Sequence, residues 1–284
     1  MKKVLIIGAT GMLGHIVYLY LKSLNNYELY NTVYRNKLTD DSIICDVHNK
    51  DDLNKVIETI KPEIVINCVG ALVKQSKENP EDAIYLNALY PHLLKIICDK
   101  NEAKLIHIST DCVFSGKKGN YAEDDFRDAD DVYGRSKAMG EIFDEPHCTI
   151  RTSIIGPELK TNGTGLFHWF MNQHEDIKGY TQAFWGGVTT LELAKVINKV
   201  IENNYCGLIQ VSNGNKISKF SLLSLFSDYF KSNKVIITPT DYYIVDKSLQ
   251  IGKIDFLIPD YERMIFEMKL FMELNSEYYI HYFK

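Results

Sequence analysis

"KVLIIGATGMLGHIVYLYLKSL", residues 3–24, decides the fold. Its opening, "KVLIIG", is apolar on both faces, as a central strand of a parallel sheet must be. Its close, "HIVYLYLKSL" (15–24), reads as a helix. Between them "GATGMLG" (8–14) sets Gly8, Gly11 and Gly14 three apart. Gly8 permits a tight turn out of the strand. Gly11 lets a bound group approach the backbone. Gly14 lets the helix pack close to the strand. Free amide N–H groups and the helix dipole then make a phosphate cradle. The spacing is G-x-x-G-x-x-G rather than the commoner G-x-G-x-x-G, so the strand–helix setting carries more weight than the glycines. The candidate phosphate-binding residues are Gly8, Thr10, Gly11, Met12, Leu13 and Gly14.

Outward from this stretch, strand and helix patterns alternate. Strands are expected in "YELYNTVYR" (27–35), "SIICDV" (42–47), "EIVINCVG" (63–70), "AKLIHIST" (103–110) and "CTIRTSII" (148–155). Helices are expected in "DDLNKVIETI" (51–60), in "PEDAIYLNALYPHLLKIICDK" (80–100) and from about Tyr133, after a polar loop over 111–131. Strand–helix alternation with doubly apolar strands predicts an α/β fold, a doubly wound parallel sheet of the Rossmann type. After residue 156 the pattern loosens. "LFHWFMNQHE" (166–175) and "SKFSLLSLFSDYFK" (218–231) predict helices of a smaller C-terminal substrate lobe. "TTLELAKVINKVI" (189–201) and "GLIQVS" (207–212) predict a return to the main domain. The expected division is 1–156 with 184–213 for the dinucleotide domain, and 157–183 with 214–284 for the substrate lobe. The aromatic tail "EYYIHYFK" (277–284) has either the body or a second subunit as its partner, so a homodimer is open.

Composition narrows the function. A net charge of -5 argues against nucleic acid as a partner, which usually demands a basic surplus. Cys45, Cys68, Cys98, Cys112, Cys148 and Cys206 form no CxxC and lie mostly in apolar runs, which suits a reducing compartment and no zinc site. The eight histidines show no metal-ligand spacing. The first apolar run meets glycine too early for a signal peptide, and no run is long enough to span a bilayer. A cytoplasmic protein is expected.

The second expected strand ends in "VYRN", where dinucleotide-binding proteins often carry an acid for a ribose hydroxyl. Arg35 stands there instead, and a guanidinium suits a 2′-phosphate. NADP(H) is therefore favoured, with NAD(H) open. Asp46 and Val47, ending the third strand, are placed to face the adenine, although Asp46 suits a plain turn equally well.

"DDVYGRSKAMGE" (130–141) puts Tyr133 and Lys137 four apart, on one helix face. A free tyrosine, with a pKa near ~10, is a poor proton carrier at neutral pH. A neighbouring ammonium is expected to lower that pKa, so that the phenol gives its proton to a carbonyl as hydride arrives. "LIHIST" delivers Ser109 and Thr110 at a strand's C-terminal end, where a hydroxyl could hold that carbonyl.

Taken together, "GATGMLG", "NCVGA" (67–71), "STDCVFSG" (109–116) and "YGRSKAMGE" (133–141) resemble the extended short-chain dehydrogenase/reductase family over about the first half of the chain. "STDCVF", "YGRSK" and "RTS" (151–153) are most similar to its dTDP-4-dehydrorhamnose reductase branch. The resemblance implies that Tyr133 is the proton donor and Lys137 its partner. It implies that Thr110 and Asp111 place the substrate, that Cys68, Val69 and Gly70 line the cofactor, and that Asn87 orders the lysine region. It implies a nucleotide-diphosphate sugar substrate, reduction of a nucleotide-activated 4-keto-6-deoxy sugar by NADPH, and a place in surface-polysaccharide synthesis. Three positions depart from the branch. Cys112 stands where an aromatic is usual, Ile154 where Trp is usual, and "WGGVTT" (185–190) lacks a frequent Pro.

Other readings of the same scaffold remain. A 4,6-dehydratase needs an Asp-Glu pair where this chain has Asp111 and Cys112, and a neutral thiol is a poor acid. An NAD-dependent nucleotide-sugar 4-epimerase usually lacks Arg35. A non-catalytic NADP-binding regulatory subunit would be expected to lose part of the Tyr–Lys–Thr set. Lys74, Arg151, Lys160 and Lys219 are cations available to a diphosphate, with none preferred.

Overall fold

The computed structural model describes residues 1–230 and 235–283, so Lys231 and Lys284, the last residues of two expected segments, lie outside the described residues. Seven strands form the main sheet among them: β1 (Lys2–Ile7), β2 (Tyr27–Val33), β3 (Ile43–Ile44), β4 (Ile64–Asn67), β5 (Lys104–Thr110), β6 (Cys148–Thr152) and β7 (Gly207–Gln210). Their order is β7-β6-β5-β4-β1-β2-β3. The pairs β1–β2, β1–β4, β2–β3 and β4–β5 are parallel. The order turns back at β1, so β1 and β4 diverge beyond their C-terminal ends, where open α/β sheets bind ligands.

The helices of this region are α1 (Gly14–Leu24), α2 (Lys50–Ile60), α3 (Val73–Glu78), α4 (Pro80–Ile84), α5 (Tyr90–Lys100) and α6 (Val132–Met139). Local chemistry sets their ends. Asn49 caps α2 by accepting from the amides of Asp51 and Asp52, and Lys61 closes it in the left-handed region. Leu5, Ile7, Val65 and Leu105 alternate onto one sheet face, where they bury against Leu53 and Ile57 of α2 and Leu94 and Ile97 of α5. The long helix expected over 80–100 is continuous but not uniform. A π-helical turn, Tyr85–Leu89, joins α4 to α5.

Cα proximity divides the chain into two compact units. One comprises Met1–Phe114, Phe126–Arg151 and Ala194–Ile209, and the other Ser115–Asp125, Thr152–Leu193 and Gln210–Lys284. The strand expected over 148–155 is interrupted at Ser153. Ile154–Ile155 pairs instead with Val188–Thr189, and the Val188 amide donates to the Ser153 carbonyl. In the second unit α7 (Leu166–Met171), α8 (from Thr190 to Glu202, entering the first unit at Ala194), α9 (Lys219–Phe230) and α10 (Tyr261–Leu274) surround short strands. The aromatic tail packs on this unit: the Tyr282 hydroxyl bonds His168 Nδ1 at 2.6 Å and accepts from the Glu158 amide at 3.0 Å. No described helix is long and apolar enough to cross a membrane.

Candidate active site

The loop leaving β1 turns at Gly8, whose φ of +83° favours glycine. A Cβ on Gly14 would lie 2.3 Å from the Gly8 carbonyl oxygen, so only glycine lets α1 start this close to the strand. His15, absent from the sequence expectations, stiffens the turn. Burial pushes its pKa down to about 4, so the neutral ring donates from Nδ1 to the Gly11 carbonyl at 2.8 Å. Among the described residues, nothing accepts from the amides of Thr10 and Met12, which remain available to a phosphate. Leu13 is buried at the helix entry.

The ends of β2 and β3 lie beside this loop in the sheet. β2 stops at Val33, so Arg35 falls two residues beyond it, exposed, with its guanidinium carbon 4.7 Å from the Tyr34 ring centroid. Asp46 accepts from the His48 amide at 3.0 Å, which holds its carboxyl below the usual range, with help from the His48 ring and Arg35. The Val47 carbonyl accepts from the Tyr85 hydroxyl at 3.0 Å. At the end of β4, Asn67 accepts from the Val69 amide at 3.1 Å and also bonds His107. It thereby fixes the segment carrying Cys68, Val69 and Gly70. Together the free amides, the guanidinium and this open strand-end shelf provide the donor set that a dinucleotide phosphate chain and its ribose require.

The Tyr133 helix is set by its cap and by a close approach. Asp131 accepts from the Gly134 amide at 2.9 Å, which starts α6 just before Tyr133. A Cβ on Gly134 would sit 2.2 Å from the Cys112 carbonyl oxygen, so glycine there lets α6 lie against the turn after β5. That turn carries Thr110 and Asp111. The Thr110 hydroxyl lies near enough to Tyr133 to act on its proton, donates to Asp111 at 3.1 Å and accepts from the Cys112 amide at 3.1 Å. Lys137 is buried, and its Nζ donates to the Ile108 carbonyl at 2.6 Å. Asn87, on the π turn, clamps Ala71 through both backbone groups, at 2.9 and 3.0 Å, and donates to Ser136 Oγ at 3.2 Å. Its tie to the lysine helix is thus through Ser136.

Two expectations fail here. The Tyr133 pKa is raised, not lowered. Desolvation of the hydroxyl is the main cause, with Cys112 adding to it. Burial also brings the Lys137 pKa down to about 8, against the pull of Glu141. Ser109 does not join the Tyr133 cluster. Adjacent strand residues face opposite ways, and its hydroxyl donates to the buried Glu141 at 2.7 Å. Arg151 is likewise withdrawn from any diphosphate role. It is buried and grips both Glu141 oxygens at 2.8 Å, while Arg127 adds a bond at 2.9 Å. Burial works against the Glu141 charge, yet these partners hold its pKa below the usual range. Glu141 was legible only as an acid four residues after Lys137. In the described residues no group of three or more His, Cys, Asp or Glu is arranged to hold a metal.

What the cluster offers chemically is a protonated phenol beside a hydroxyl, with an amine one turn away, at the C-terminal end of a central strand. A model of the RmlD substrate binding domain family matches residues 1–245. dTDP-4-dehydrorhamnose reductase of Aggregatibacter actinomycetemcomitans is 33% identical over 214 residues, 73% of this chain and 70% of that protein. Methionine adenosyltransferase 2 subunit beta of Danio rerio is 31% identical over 165 residues, 56% of this chain. That match spans about half the length of the relative, 50%. The solved structure of dTDP-4-dehydrorhamnose reductase from Bacillus anthracis str. Ames, in complex with NADP, shares the fold with a TM-score of 0.82. It is 24% identical and the superposition covers 96% of this chain and 99% of that one. Since the family match runs from the glycine turn past the last strand of the main sheet, the chain belongs to the RmlD substrate binding domain family.

Proposed function

We propose that the chain is an NADPH-dependent reductase of a nucleotide-activated 4-keto-6-deoxy sugar, serving surface-polysaccharide synthesis. The observation that carries this is the Thr110 hydroxyl acting on the Tyr133 phenol at the end of β5, with Lys137 buried one turn along α6. NADPH supplies hydride to the sugar's carbonyl carbon. Gly8, Thr10, Gly11, Met12, Leu13 and Gly14 receive its pyrophosphate, and Arg35 holds the 2′-phosphate. Asp46 and Val47 face the adenine, and Cys68, Val69 and Gly70 line the shelf above β4. Thr110 and Asp111 orient the carbonyl, and Tyr133 donates the proton to its oxygen. Because burial keeps the phenol protonated, Tyr133 is loaded as an acid at neutral pH, the state that reduction requires. Lys137, steadied by Ile108 and by the Asn87–Ser136 contact, holds the ribose and places a positive charge beside the developing phenolate. The first unit is assigned to the dinucleotide and the second to the nucleotide sugar, in a cytoplasmic enzyme for which a homodimer is the simplest assembly.

NADPH consumption against a panel of nucleotide 4-keto sugars, with product stereochemistry read by NMR, tests the proposal. Consumption with at least one of them is expected. Exchange at C4 without net consumption would instead indicate a nucleotide-sugar 4-epimerase. A second reading, a non-catalytic NADP-binding regulatory subunit, is favoured by the likeness to a protein named as a methionine adenosyltransferase subunit. Tight NADP binding with no turnover on the whole panel would establish it.

A further inference from the structure

His48 stands between two carboxylates. Its Nδ1 lies 3.0 Å from Asp46 Oδ1, and its Nε2 lies 2.7 Å from Asp82 Oδ1. The same Asp46 oxygen also accepts the His48 amide at 3.0 Å. Gln75 Nε2 donates to the second Asp82 oxygen at 2.7 Å, so Asp82 is itself anchored. The imidazole stacks on Tyr85, with centroids 4.7 Å apart and planes 15° apart, and the Tyr85 hydroxyl holds the Val47 carbonyl. Residues 46–48 are thus tied to α4 through Asp82 and to the π turn through Tyr85, and Gln75 of α3 braces Asp82 from behind. Two ionised carboxylates can only accept, so satisfying both needs two N–H donors on one ring. Only the imidazolium has both.

We propose that His48 is a positioning residue for the adenine end of the cofactor site, a clamp whose imidazolium fixes the Asp46 carboxylate and the Val47 backbone for the base. The inference rests on the function proposed above. It adds a residue that acts through Asp46 and a proton that the site must retain. The charged groups around the ring are Asp46 from its own loop and Asp82 from α4, with Arg35 acting on Asp46 and the Tyr85 phenol beneath. Partial burial opposes the charge on His48, but the two carboxylates prevail and raise its pKa above 6.5. The clamp is therefore complete below the free imidazole value of about 6.5 and is lost as pH climbs through the raised value.

The test is direct binding to the full chain, read by NADPH fluorescence at pH 6 and pH 8.5, with reduced nicotinamide mononucleotide as the probe lacking adenine. His48→Phe keeps a ring against Tyr85 and removes both donors. It should weaken NADPH about fivefold at pH 6, less at pH 8.5, and leave the mononucleotide unchanged, in line with a partly exposed ion pair. The 2′-phosphate also titrates near about pH 6, so the difference between parent and variant, not the parent's slope, carries the result. Asp82→Asn should weaken NADPH at pH 6 in the same direction. Equal NADPH affinity in parent and His48→Phe at pH 6, or equal losses for both probes, overturns the clamp. A parent that binds no NADPH at either pH overturns the reductase proposal instead.

Discussion

The first unit has two chemically different corners. At the end of β5, Lys137, Glu141 and Arg151 are buried and held by short hydrogen bonds, with Tyr133 half-buried. At the ends of β2 and β3, Arg35 and His48 are exposed and Asp46 is partly so. Burial raises the proton affinity of Tyr133 and brings that of Lys137 down in the first corner, although bonded partners still hold Glu141 below the usual range. Hydrogen-bonded partners set proton affinities in the second, the His48 amide first among those lowering Asp46, and the Asp46 and Asp82 carboxylates raising His48. The buried corner is thereby suited to a reaction step, in which an acid must stay loaded. The exposed corner suits recognition, in which charge must be available to an incoming anion.

The sharpest way to break this contrast is Tyr133→Phe. Loss of general-acid catalysis should cut turnover by about 10²–10⁴-fold and leave the NADPH dissociation constant unchanged, as read by steady-state kinetics beside fluorescence titration. Unchanged turnover would remove Tyr133 from the chemistry. Next is Glu141→Ala, which strands the Arg151 charge in the interior. It should cost roughly 3–5 kcal/mol in urea unfolding. A cost near that of a surface pair would mean that the buried corner is more solvated than its burial implies. Arg35→Ala belongs to the exposed corner. It should leave stability alone and weaken NADPH by about 10–100-fold, with NADH nearly unaffected. Equal effects on both cofactors would dissolve the 2′-phosphate assignment. The smallest effect is in pH. Below about 8 Lys137 is an ammonium, and above it the charge is lost, so turnover should decline above about 8 by no more than tenfold per pH unit. A turnover profile flat from pH 7 to 10 would show that the Lys137 charge plays no part.

Much of this was legible in the sequence because it is written in local spacing. "KVLIIG" and "GATGMLG" specify a buried strand, a glycine turn and a helix within 22 residues, and a parallel, doubly wound sheet follows from alternation. Tyr133 and Lys137 lie one turn apart, so their shared face needed no tertiary information. The failures have non-local causes. Ser109 is drawn away by Glu141, 32 residues later, although the opposite facing of Ser109 and Thr110 was available from strand geometry alone. Arg151 looked like a free cation until Glu141 was seen against it. The Tyr133 pKa was misjudged because a sequence displays the neighbouring charge and hides the desolvation. His15 and His48 were passed over for a similar reason, since their partners are backbone or lie on other elements.

The π turn at Tyr85–Leu89 lets one helical run keep two phases. An extra residue in a single turn rotates everything beyond it by about 100° relative to an uninterrupted α-helix. Up to its first residue, Asp82 and Tyr85 therefore face the loop after β3, while downstream Leu94, Ile97 and Cys98 face the apolar interior. Removing one residue from this turn would force a choice between those two alignments, so the helix should tolerate substitution on its outer surface far better than any change in its length.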